Sequence, residues 1–144
     1  MKAFIDTNVL LDILIPGRQN SLESAAVFRI ARTSSLELCL STQSIIDAVY
    51  IVSRSPGFDK KKFRSVILDI LKFVNVHGIS HFSLRSALEE ENIGDIEDCA
   101  QAFFAGEYYC DVIISSDKRF PLPRKMEKIP VMTSGEFISR LKKA

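Results

Sequence analysis

The chain has little of what most catalytic and binding classes require. Its three cysteines, Cys39, Cys99 and Cys110, form an odd set without Cys-x-x-Cys spacing, which gives neither a disulfide framework nor a zinc site. Cys39 and Cys99 fall in apolar patterns and read as small core residues in a reducing, cytoplasmic setting. The two histidines, His77 and His81, flank a glycine at a strand end and read as structural. Charge of one sign is lacking too. With 19 Lys and Arg against 18 Asp and Glu, nucleic-acid binding has to use local basic patches in place of a global field. No run approaches the ~20 apolar residues of a membrane span, and Asp6 interrupts the apolar N-terminus too early for a secretory signal. A Walker lysine motif, GxGxxG, HExxH and GxSxG are all missing, so nucleotide cradles and triad chemistry have no support. No repeat, linker or low-complexity segment divides the chain.

What is present is an ordinary globular composition. The hydrophobic fraction is 47% and the charged fraction 26% over 144 residues, which is enough for one domain, 1–144, with a real core. Short apolar strands alternate with helices. Lys2–Ile5 reads as a strand, followed by a short helix to about Ile15 that Pro16-Gly17 stops. Asn20-Ser21-Leu22-Glu23 has capping-box spacing for a second helix, with Val27, Ile30 and Ala31 as its stripe. Leu36–Leu40 alternates as a strand, and Ser41 or Thr42 caps a helix from Gln43 to Ser53. Phe58–Phe73 is predicted as a helix presenting Phe63, Val66, Ile67, Ile70 and Leu71. Val74–Ile79 reads as a strand, Ser83–Glu91 and Asp95–Tyr109 as helices, and Asp111–Ser116 as a strand. A basic loop runs to Lys128, Ile129–Met132 is an edge strand that tolerates Pro130, and Ser134 caps a closing helix. Strands separated by helices imply an α/β fold with a Rossmann-like parallel sheet of about five strands flanked by helices.

Within this frame the acids stand out. Asp6 ends the first strand and Asp117 follows the Asp111–Ser116 strand. If the two strands are parallel neighbours, both carboxylates lie at the carboxyl edge of the sheet, where ligands collect. Asp47 sits in an apolar helix about one turn past its cap. Burying it unpaired costs several kcal/mol, so it is expected to face a cation or a polar cleft. Asp95 and Asp98 share a face at i and i+3. Asp95 suits an N-cap, which leaves Asp98 as the functional member. Glu97 points elsewhere on the wheel and reads as solvated, as does Glu89-Glu90-Glu91. Two like charges ~4 Å apart repel by about 4 kcal/mol at an effective dielectric of 20, so such a group takes up protons or a hard divalent cation. Oxygen-only ligands select Mg²⁺ or Mn²⁺, and an ion there supports phosphodiester hydrolysis.

Together, Phe-Ile-Asp6-Thr7-Asn8, an acid in the helix after the second strand, Asp95-x-x-Asp98 and Ile-Ser115-Ser116-Asp117-Lys118-Arg119-Phe120 resemble the PIN domain. The resemblance spans essentially the whole chain. It implies a Mg²⁺/Mn²⁺-dependent ribonuclease acting on RNA, of the VapC toxin type held by an antitoxin, and a homodimer as the expected assembly. By that likeness Asp6, Asp47, Asp98 and Asp117 form the acidic quartet and Asp95 is auxiliary. Asn8 and Ser115 orient carboxylates or water, and Lys118 and Arg119 meet RNA. One position departs: the second acid is usually Glu and here it is Asp47, shorter by about 1.5 Å of reach, one carbon–carbon bond. A haloacid-dehalogenase-type phosphatase needs Asp-x-Asp where Asn8 stands. A response-regulator receiver needs paired acids after strand one and a lysine after strand five. The non-enzymatic alternative is a nuclease-inactive PIN-like RNA-binding module that keeps Lys118, Arg119, Arg124, Lys125 and Lys128.

Overall fold

A computed structural model describes residues 1–91 and 94–144. The expected fold class holds. Five parallel strands lie in the order β3-β2-β1-β4-β5, with β1 at Lys2–Ile5, β2 at Glu37–Ser41, β3 at Val74–His77, β4 at Val112–Ile114 and β5 at Val131–Met132. The helices among the described residues are α1 Thr7–Leu14, α2 Ser21–Thr33, α3 Thr42–Val52, α4 Lys60–Ile70, α5 His81–Glu89, α6 Ile96–Glu107 and α7 Ser134–Lys143. The chain builds outward from β1 through β2 to β3, then crosses back to place β4 and β5 on the other side. Such a reversal opens a crevice at the carboxyl ends of the two strands flanking it. Here those strands are β1 and β4.

Alternation along the strands sorts the core onto two faces. Ala3, Ile5, Leu38, Leu40, Val112 and Ile114 pack against residues of α1, α2, α3, α4 and α7. Phe4, Cys39 and Ile113 face the other way, onto Ala102, Phe104 and Ala105 of α6. α5 packs on α6 outside that face. Ala3, Phe4 and Ile5 are fully buried, so β1 is a rigid floor under whatever its end carries.

Several boundaries differ from the sequence expectation, each for a local reason. Asn20 occupies the N-cap of α2, but its backbone is not extended and its side chain caps nothing. Phe58–Phe73 shrinks to α4 because Asp59 accepts from the amides of Lys61 and Lys62 and starts the helix there. Leu71 falls past its end and is 45% exposed. Ser80, not Ser83, marks the start of α5. Thr133 replaces Ser134 as the cap of α7 and closes a capping box with Glu136, while Ser134 turns inward to the hydroxyl of Ser24. The strand expected over Asp111–Ser116 is regular only over Val112–Ile114, with the amides of Asp111 and Ser115 still donating to the Lys2 and Met132 carbonyls. In the segment expected as an edge strand, Pro130 still contributes its carbonyl, which accepts from Ile113.

Candidate active site

Asp6 is both the last step of the β1–β4 ladder and the cap of α1. Its amide donates to the Ile114 carbonyl at 3.0 Å, which fixes its position against β4. The residue is buried, 5% exposed, and its carboxylate takes three donors. Oδ1 accepts from the Thr7 amide at 2.7 Å, and Oδ2 accepts from the Asn8 amide group at 2.8 Å and the Ser115 hydroxyl at 2.6 Å. Asn8 also accepts from the Ser116 amide at 3.1 Å, tying α1 to the loop after β4. The Asp117 amide donates to the Ser115 hydroxyl at 3.0 Å, and Asp117 in turn accepts from the Arg119 amide at 2.8 Å. Asp6, Asn8, Ser115 and Asp117 are thus one hydrogen-bonded unit across the β1–β4 crevice.

Every donor to Asp6 is neutral. Burial raises its pKa; the Ser115 hydroxyl and the Thr7 amide pull it back, and the Asp117 charge adds to the rise. Asp98, in the first turn of α6, is pushed up to about 6 by burial and then by the charges of Asp6, Asp95 and Asp117. Asp6, Asp98 and Asp117 therefore lie within electrostatic reach of one another. Asp95 serves as the cap of α6, accepting from the Asp98 amide at 3.1 Å, as its spacing suggests. No ion pair reaches any of these acids among the described residues.

Asp47 sits differently. Its Oδ1 accepts from Gln43 at 2.8 Å, and its Oδ2 is shut off from solvent with no donor. Its carboxylate meets that of Glu97, and this contact is the main reason that Glu97 is raised to about 7, ahead of burial and the charges of Asp47, Asp95 and Asp98. Glu97 is exposed, as its place on the helical wheel suggests, and still feels the charges of Asp47, Asp95 and Asp98. A feature that sequence reasoning misses is a buried polar seam. Ser44 receives hydrogen bonds from Thr7 at 2.8 Å and from Gln101 at 2.9 Å, with Ser41 beside it. A signal for it exists: Gln101 is the lone polar residue in Cys99-Ala100-Gln101-Ala102-Phe103-Phe104.

The donor set fits a hard divalent cation. It is oxygen-only, its members repel one another, and it includes a buried carboxylate oxygen without a donor. Among the described residues no three His, Cys, Asp or Glu side chains are already arranged to hold an ion. Lys118 and Arg119 are exposed just beyond Asp117, and Arg124, Lys125 and Lys128 are exposed further along the same loop. His77 stacks on Tyr108 with ring centroids 4.3 Å apart, a packing role. A cavity of about 220 Å³ lies away from the acids, lined by Ile13, Leu14, Val52, Phe58, Phe63 and Val66 among others. The acids occupy an open edge, which suits a polymer better than a small molecule.

Comparison with known proteins bears on the family and the fold. The family model for the PIN domain matches residues 2–119. Ribonuclease VapC1 of Aquifex aeolicus is 31% identical over 143 residues, covering 96% of this chain and 94% of that protein. Among solved structures, VapC20 of Mycobacterium tuberculosis, a sarcin–ricin-loop-cleaving toxin, matches with a TM-score of 0.64 at 13% identity, over 82% of this chain and 92% of its own. VapBC2 of Rickettsia felis bound to promoter DNA matches with a TM-score of 0.61 at 17% identity, over 92% and 98%. These likenesses support the fold. No helix among the described residues is long and apolar enough to cross a membrane.

Proposed function

The chain is a member of the PIN domain family, and on that premise we propose that it is a VapC-like endoribonuclease toxin, hydrolysing RNA phosphodiester bonds and restrained by a cognate antitoxin. The observation that carries this reading is the group of Asp6, Asp98 and Asp117 at the β1–β4 crevice, buried or mutually repelling and without an ion-pair partner among the described residues. Asp6, Asp98 and Asp117, with Asp47 and Asp95 at the margin, would hold a Mg²⁺ or Mn²⁺ ion, which would supply positive charge to activate water and offset charge developing on the phosphate. The chain's own residues do the rest. Asn8 and Ser115 hold the Asp6 carboxylate in one orientation by donating to Oδ2. Asp117 is steadied through Ser115 and the Arg119 amide. Lys118 and Arg119, exposed beside it, contact the phosphates of the RNA strand.

Two surfaces support the partner side of the reading. The cavity between the end of α1 and α4 offers Ile13, Leu14, Phe58 and Phe63 to an apolar segment of an antitoxin. Exposed Ile46 and Tyr50 on α3, with Phe82 and Leu88 on α5, support association into a homodimer. The test is cleavage of a mixed RNA panel by purified protein with Mg²⁺, with Mn²⁺ and with chelator. Cleavage with either metal, lost with chelator and in Asp6→Asn, is the expected result. Metal-independent cleavage, or cleavage that survives Asp6→Asn, overturns it.

A further inference from the structure

Thr7, Ser44 and Gln101 are far apart in the chain and meet at one hydroxyl. The Ser44 Oγ lies 2.8 Å from the Thr7 hydroxyl, 3.2 Å from the Ser41 hydroxyl and 2.9 Å from the Gln101 amide nitrogen. A serine hydroxyl accepts two hydrogen bonds and donates one, so these three neighbours use its whole capacity. Ser41 ends β2, Ser44 stands in the first turn of α3, Thr7 opens α1 and Gln101 lies in the middle of α6. Three of the four elements carry an acid close by. Thr7 follows Asp6 and donates its amide to Oδ1 of that carboxylate at 2.7 Å. Ser44 precedes Asp47 by three positions on α3, and Gln101 follows Asp98 by three on α6, a spacing that puts residues on one helix face. Stability does not call for a glutamine at 101. The residue is fully buried among Cys99, Ala100, Ala102 and Phe103, themselves buried, and its Oε1 has no donor among the described residues. Burying an amide with one end unmatched costs free energy that an apolar side chain of the same size would not. What the amide adds is direction. A hydrogen bond admits a narrow range of angles, where apolar packing accepts several settings of a helix.

We propose that Gln101 is a positioning residue of the acid site: through Ser44 it fixes the rotation of α6 against α1 and α3, and so sets where Asp98 stands relative to Asp6. Fully buried, it acts only through these neighbours. This inference rests on the divalent-ion site proposed above and names what aligns two of its acids. A glutamine that merely filled space would be replaced by methionine, nearly its equal in size, without loss of ion binding.

Two measurements on the metal-free full-length chain separate these roles: urea unfolding, and Mn²⁺ binding followed by the electron paramagnetic resonance of the free ion. Gln101→Met leaves Ser44 bonded to Thr7 and Ser41 and strands no group, so its unfolding midpoint is expected at or above that of wild type. Its Mn²⁺ binding is nevertheless expected to weaken roughly tenfold to a hundredfold, the scale of losing an outer partner that orients ligands at a metal site. Ser44→Ala removes the other end of the same bond. It should lower the midpoint, because the Gln101 amide is then stranded, and it should weaken Mn²⁺ binding at a temperature where it is folded. Because the two residues act through one bond, Ser44→Ala/Gln101→Met should bind no worse than Ser44→Ala alone. Wild-type affinity in Gln101→Met overturns the proposal, and so do losses that multiply in the double variant. Asp6→Asn in the same titration distinguishes the two readings. If Asp6→Asn abolishes binding while Gln101→Met binds as wild type does, only the role of Gln101 falls. If wild-type protein takes up no Mn²⁺, the ion site falls and Gln101 with it.

Discussion

Asp6 and Asp12 sit at the start and near the end of the same short helix, both buried, 5% and 2% exposed, yet they are opposite kinds of residue. Asp12 is compensated. It pairs with Arg18 at 2.9 Å and accepts from Ser24 at 2.8 Å, and Ser24 continues to Ser134, so one carboxylate ties α1, α2 and α7 together. Asp6 has as many oxygens satisfied, but only by neutral donors, and its charged neighbours are other acids. Burial alone therefore says little about function. The sign of what surrounds a buried charge says a great deal, because a protein that keeps like charges together without a counter-ion leaves them ready for a positive ligand.

The widest separation between the two aspartates is expected in cleavage. Asp6→Asn keeps the size of the side chain but removes the charge and turns an amide nitrogen toward one of the groups that donate to Asp6, so RNA cleavage should fall by roughly a hundredfold or more, the scale of removing one preorganised electrostatic interaction. Asp98→Asn should do the same, with RNA binding nearly intact in both. Asp12→Asn should leave cleavage within a few-fold of wild type at a temperature where it is folded. Comparable losses at Asp6 and Asp12 in single-turnover assays would erase the distinction.

Stability should reverse that order. Removing one partner of a buried pair strands the other, at about 3–5 kcal/mol for a fully buried one. Arg18 is partly exposed and can turn to water, so Asp12→Ala is expected to lose about 2–3 kcal/mol, at or below the low end of that range. Asp6→Asn should cost less than Asp12→Ala in the metal-free protein, since the removed repulsion with Asp98 and Asp117 offsets the hydrogen bond that its amide nitrogen cannot accept. Urea unfolding of both variants with chelator present checks the order.

Acid titration sharpens the electrostatic half of the comparison. Asp98 and Glu97 have folded-state values of about 6 and about 7, above ordinary carboxyl values of 3.8 and 4.5. A group that holds its proton more tightly when folded favours folding while protonated. That contribution is present below about pH 4 and is lost as pH rises through 6 to 7. Relative to Asp98→Asn, metal-free wild-type protein should therefore lose melting temperature between pH 4 and 7 and level off above. Millimolar Mg²⁺ or Mn²⁺ should recover the loss at neutral pH and do little near pH 4. Equal stabilisation by metal in Asp6→Asn/Asp98→Asn would place the effect elsewhere.

Legibility in the sequence depended on whether one element or two decide a residue's place. Asp6 and Asp117 could be placed because each ends a short apolar strand, and a parallel sheet brings strand ends to one edge whatever the helices do. Asp95 as a cap followed from its spacing to Asp98. Glu97 could not be placed in that way. The helical wheel turns it away from Asp95 and Asp98, which agrees with its exposure, but the influence of Asp47 on it depends on how α3 and α6 approach each other, and that approach has no local code. Gln101 was visible as a lone polar residue among apolar ones, yet its partner Ser44 is 57 positions distant. Cap competition explains the smaller shifts: Asp59 starts α4 inside a longer apolar pattern, and Thr133 outcompetes Ser134 because Glu136 completes its box.

The smallest expected effect concerns the cations nearest the site. Lys118 and Arg119 follow Asp117 directly, and if they compensated the acids as Arg18 compensates Asp12, the contrast between the two aspartates would weaken. Their exposure and the lack of an ion pair to either among the described residues argue that they serve the substrate. Lys118→Ala/Arg119→Ala should then weaken RNA binding modestly. It should also flatten the dependence of log affinity on log salt by roughly 0.7 for each phosphate of a single strand that is no longer neutralised. The melting temperature of the metal-free protein should stay put, because no buried acid is left without a partner. An unchanged salt slope together with a lower melting temperature at neutral pH would show the reverse: the two cations would then be neutralising Asp117 and its neighbours, and the acid edge would be compensated after all.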